Sequence, residues 1–177
     1  RPRSPAFSAP TRRAPPARPN APHCAASNAD SPACRADQSL PPARLADRLL
    51  ALHYLLCPVP VTPTGELITF RDLPGGQFYF GPFANRTTRP LVRSMGNNLA
   101  LLRQNLVRFD HHPIPNLPAD LAVRIHAVGR LDIAFLYHIG DDETPPSANL
   151  LFDACIKHVY NTEDIAVLSS RICCSLL

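Results

Sequence analysis

The chain has 177 residues, 45% of them hydrophobic, which bounds it to one domain with a modest core. Its net charge of +4 is unevenly spread: residues 1–44 hold seven arginines and two aspartates, a net of +5, while the remainder sets eleven basic side chains against twelve acidic ones. A body this close to neutral lacks the basic face that nucleic-acid affinity rests on, and no apolar run reaches the roughly 18 residues of a membrane span.

The proline distribution divides the chain at the same place. Ten of the 21 prolines fall in residues 1–44 and none of the seven glycines does. We read residues 1–42 as an arm with no fold of its own and residues 43–177 as one domain. The arm is rich in Arg, Ser, Ala and Pro, and its first acid is Asp30, a composition that matches organelle transit segments. Ser4-Pro5-Ala6-Phe7-Ser8-Ala9-Pro10 resembles the junction between signal and transit peptides in algae with complex plastids. The alternative is a low-complexity segment without function.

In the body, Leu45, Leu49, Leu52 and Leu56 recur at steps of four, three and four, one apolar face of a helix. Pro41-Pro42 and Pro58 bound it near 43–57. His53 and Tyr54 take core or boundary places in it. Leu67-Ile68-Thr69-Phe70 is a short strand, and Leu73-Pro74-Gly75-Gly76 turns the chain into a second strand, Gln77-Phe78-Tyr79-Phe80. The two glycines permit a positive φ and close backbone approach. They have no following Lys to make a phosphate loop.

Leu91, Met95, Leu99, Leu102 and Leu106 mark a further helix, with Pro90 in its first turn and Gly96 a point of kinking. His111 to Pro118 reads as a rigid extended linker, in which neighbouring His111 and His112 point apart and chelate poorly. The alternating runs 121–127 and 131–139 are the clearest strands. A three-residue loop, Val128 to Arg130, pairs 127 with 131 and 123 with 135 and puts both apolar sets on one face. Leu150-Leu151-Phe152 is another strand. Asn161 or Thr162 caps a last helix near 163–174. The fold class is therefore α+β: a small antiparallel sheet of about five strands with two or three helices.

Candidate chemistry is sparse. Asp141-Asp142-Glu143 offers carboxylates for a divalent cation or a simple acidic turn, and Cys155 with His158 offers two ligands at helical spacing that His111 or His112 could complete. Six cysteines, Cys24, Cys34, Cys57, Cys155, Cys173 and Cys174, show no pairing pattern and read as reduced thiols. No catalytic residue, metal or cofactor is assigned. The residues singled out for interaction are Arg12, Arg13 and Arg18 in the arm, Arg71, Gly75 and Gly76 around the first turn, and Asp142 and Glu143 in the acidic turn.

Two strings carry a family resemblance. The first is Leu52-His53-Tyr54-Leu55-Leu56 followed by Thr64-Gly65 and Ile68 to Gly76, with Phe78 and Phe83 beyond. The second runs from Asp142 through Pro145-Pro146 and Leu150-Leu151-Phe152-Asp153 to Tyr160 and Thr162–Leu168. Over about residues 49–168 the chain resembles the family known as the domain of unknown function 3786, which implies no activity, cofactor or catalytic residue. Its members usually carry further structured sequence where this chain has its arm, and that departure implies a repurposed, non-catalytic domain.

The expectation is a non-catalytic plastid protein, in the stroma or on the stromal face of the thylakoid. Its expected partners are protein subunits of a larger plastid complex, a photosystem by analogy, without direct nucleic-acid contact. The competing expectations are an accessory or enzyme of tetrapyrrole or metal-cofactor chemistry, and a plastid ribosomal protein, which the single Lys157 disfavours.

Overall fold

The computed structural model describes residues 44–177. In chain order these form α1 (Leu45–Leu55), β1 (Leu67–Thr69), a 3-10 turn (Phe70–Asp72), α2 (Gly76–Arg86), α3 (Thr88–Met95) and α4 (Leu99–Leu106). Then come β2 (His111–Pro113), β3 (Leu121–Val128), β4 (Leu131–His138), β5 (Ser147–Asp153), α5 (Ile156–Val159) and α6 (Thr162–Ser175). The five strands make one antiparallel sheet in the order β1-β5-β4-β3-β2. The α+β class and the strand number agree with the sequence pattern; the helices are more numerous than two or three.

The central β3–β4 hairpin pairs Val123 with Phe135 and Ile125 with Ile133, the expected register. The device that sets it is different. Val128 pairs with Leu131 across a two-residue turn, and the register shifts between His126 and Val128, so Ala127 does not face Leu131. The bulge absorbs the residue assigned to a longer loop. Gly129 sits at φ +58°, and Tyr54 packs against it and accepts a hydrogen bond from the Arg130 N–H at 3.0 Å.

One face of the sheet, with Ile125, Ile133, Phe135, Tyr137 and Phe152, is fully buried together with helix residues such as Leu91, Leu102 and Ile165. The strand expected at 77–80 is the start of α2 instead. Gly75, at φ +72°, caps that helix, and 3.6-residue spacing turns Phe80 and Phe83 the same way. Phe83 stacks on Phe70 at 3.7 Å between ring centroids, a contact that alternating strand geometry would not supply. Phe78 is left 95% exposed.

The helix expected across 91–106 is broken rather than kinked. Gly96 closes α3 at φ +51°, and the Asn98 side chain caps α4 by accepting from the Leu101 N–H at 3.0 Å. The break is pinned to the end of β4: the Tyr137 hydroxyl donates to the Gly96 carbonyl at 2.6 Å, and the Asn97 amide both donates to and accepts from the Gly140 backbone. In the expected linker, residues 111–113 are an edge strand on β3. The last helix begins as expected, with the Asn161 side chain accepting from the Asp164 N–H at 2.8 Å.

Candidate functional site

Two surfaces stand out, and α1 carries the first. Its leucine face points away from the domain: Leu45, Leu49, Leu52 and Leu56 are 70, 45, 49 and 67% exposed, and Leu55 is open beside them. The side that docks is mainly polar and aromatic. Asp47 accepts two hydrogen bonds from the Arg171 guanidinium at 2.8 and 2.9 Å, His53 meets Asp164 at 2.9 Å, and Leu50 alone among the six leucines is buried. The Tyr160 hydroxyl donates to the Leu50 carbonyl at 2.7 Å. These pairs lock α1 onto α6 and the β3–β4 turn with its apolar stripe outward. Arg44 and Arg48 are exposed beside the stripe.

The second surface is a cleft between α3 and the outer edge of β5, in two connected parts. The part nearer β1, about 310 Å³, is lined by Phe70, Phe83, Leu136 and Leu150, with Arg71 and Thr88 at its rim. The other, about 330 Å³, shares Thr88 and Ala148 and adds Arg89, Val92, Arg93 and Pro146. The Arg71 guanidinium lies 3.7 Å above the Phe80 ring centre, which fixes its direction.

The other sequence candidates fall out differently. Arg12, Arg13 and Arg18 lie outside the described residues. Gly75 and Gly76 serve the backbone: Gly75 takes the left-handed cap, and a Cβ on Gly76 would meet the Phe70 carbonyl. Asp142 and Glu143 are exposed in a turn that Asp141 organises by accepting from Glu143 N–H and from the N–H and hydroxyl of Thr144. Donation from the Thr144 hydroxyl and then its N–H holds the Asp141 carboxyl below its ordinary value.

Cys155 and His158 share a cavity of about 230 Å³ with Cys57, beside β1 and β5, whereas His111 and His112 lie on β2 at the opposite edge of the sheet. A site of Cys155 and His158 completed by His111 or His112 is therefore not assembled. Burial and then the Asp153 carboxylate push the Cys155 thiol up to about 12, so it stays protonated and a poor nucleophile. Burial likewise opposes charge on Asp153. Donors from Thr64, Cys155 and Gly65 outweigh it and hold that carboxyl well below the usual range. Among the described residues, no three His, Cys, Asp or Glu side chains gather into a metal site, and every buried side-chain nitrogen or oxygen has a partner.

Sequence reasoning found the leucine spacing but not its outward direction. The polar residues of the docking side, Asp47 and His53, were the signal. It did not single out Arg89 and Arg93, whose signal is like charge at i and i+4, an arrangement that slightly destabilises the helix itself.

The family model described as the domain of unknown function DUF3786 matches residues 28–174. The chain belongs to this family. The match reaches further at both ends than the resembling strings, and it takes in residues 28–42, which the sequence reading assigned to the arm. No curated protein and no solved structure matches this DUF3786 chain.

Proposed function

We propose that this DUF3786 protein is a non-catalytic subunit that docks on a larger plastid assembly through the leucine face of α1. The supporting observation is the outward stripe Leu45, Leu49, Leu52 and Leu56, whose 4-3-4 spacing is that of a helix–helix seam. Large exposed apolar patches on a folded domain mark interaction sites. Covering these half-exposed leucines gains on the order of 5 kcal/mol. Association itself costs about 4–15 kcal/mol, so the stripe needs a second attachment to hold a partner firmly. The plastid destination rests on the composition of the arm.

The test is native electrophoresis of a plastid lysate containing the full chain or its Leu49→Glu/Leu52→Glu variant. Wild type is expected in a high-mass band. The variant, verified as folded by an unchanged circular dichroism spectrum, is expected as a monomer. Wild type migrating as a free monomer refutes the reading.

A further inference from the structure

The β5 edge carries an inference independent of the leucine face. β5 pairs with β4 along its length, but β1 covers only Leu151–Asp153. The hydrogen bond from Ala154 N–H to the Glu66 carbonyl, 2.9 Å, fixes the phase of β5: residues 154 and 152 direct their backbone groups toward β1. By strand alternation Leu150 and Ala148 direct theirs to the same side, past the end of β1 and into the cleft beside α3. The N–H of Leu150 and the N–H and carbonyl of Ala148 meet no partner there among the described residues, although both residues are buried. Unpaired strand-edge groups in an apolar cleft are a template for another strand.

The charge around this edge has one sign. Arg71, Arg89 and Arg93 line the cleft, and no Asp or Glu does. None of the three pairs with a carboxylate among the described residues; Arg71 lies over Phe80, and Arg89 donates to the Asn85 side chain at 2.5 Å. The two parts of the cleft, about 310 and 330 Å³, suit a few residues of extended chain.

We propose that the cleft receives an extended acidic peptide segment of a partner protein, which adds to the free edge of β5. Its backbone pairs with Ala148 and Leu150, and its carboxylates meet Arg71, Arg89 and Arg93. Residues 1–27, with five arginines and no acid, do not complement those arginines. A second copy cannot pair edge to edge, because α3 walls the same edge in each. Single-stranded nucleic acid satisfies the arginines but not the strand edge.

The test uses the full chain and a fluorescein-labelled octapeptide of alternating valine and glutamate, followed by anisotropy. Saturable binding is expected, weakened about tenfold by Arg89→Glu/Arg93→Glu. A backbone N-methylated peptide of the same sequence, which cannot complete the strand, should lose a similar factor, and hydrogen exchange at Ala148 and Leu150 should slow only with the unmethylated form. Both arginines are exposed, so an unchanged melting temperature verifies that the variant is folded. Absence of saturation up to about 1 mM overturns the proposal. Equal affinity of the methylated peptide does so too, as does an oligothymidylate that binds more tightly than the peptide.

Discussion

Gly75 and Gly76 stand side by side, yet an added methyl meets something different at each. At Gly75 there is open space but a φ of +72°, so Gly75→Ala should cost about 1–2 kcal/mol of backbone strain. At Gly76 the methyl would strike the Phe70 backbone carbonyl, which the stacked Phe70–Phe83 pair holds in place, so Gly76→Ala should cost about 3 kcal/mol. Chemical denaturation of the two variants checks the order, and equal losses would contradict it. Asp153 makes the companion prediction in pH. Its folded pKa is depressed below the ordinary carboxyl value, so its contribution is full above the unfolded pKa of about 4 and declines as pH falls below it. The stability gap between wild type and Asp153→Asn should therefore be widest near neutrality and shrink between about pH 4 and pH 2.5. A gap that does not change with pH removes the carboxylate from the account.

At the scale of elements, α1 separates what was legible from what was not. Its limits follow from flanking prolines and its leucine period, but periodicity reports a shared face and not the side that the face takes. The side was decided by Asp47–Arg171, His53–Asp164 and Tyr54 on the Gly129 turn, contacts 111 or more residues apart in the ion pairs. Leu50→Glu should unfold the domain, since a buried unpaired charge costs several kcal/mol. Leu49→Glu, one residue earlier and half exposed, should lower the thermal melt far less. A melt lowered equally by both would put the stripe inside. The hairpin was legible in register because one-face burial fixes it; the bulge was not, because a two-residue turn with a bulge and a three-residue loop satisfy the same pattern. The opening of α2 was misread because Phe78 and Phe80 alternate locally, while the partner that settles helix phase, Phe70 under Phe83, is a tertiary contact. The β5 groove depends on where β1 stops, which no local pattern records.

For the whole molecule, the charge division and the family match place the boundary differently. The basic stretch runs to Arg44, whereas the DUF3786 match begins at residue 28. Residues 1–27 lie outside the match and hold five arginines and no acid, the composition on which the proposed plastid destination rests. The body supplies a leucine face and an arginine-lined groove, both lined by residues beyond position 43. A chain beginning at Asn28 should accordingly melt within about 2 °C of the full chain, the shift expected of a change below 0.5 kcal/mol in a domain of this size. It should also bind the acidic octapeptide equally well. A fluorescent protein carrying residues 1–27 after a signal peptide should enter plastids, while one carrying residues 28–60 in their place should not. Import driven equally by both segments would detach the address from residues 1–27. A truncated chain that melts far below the full one would show that the arm is part of the fold.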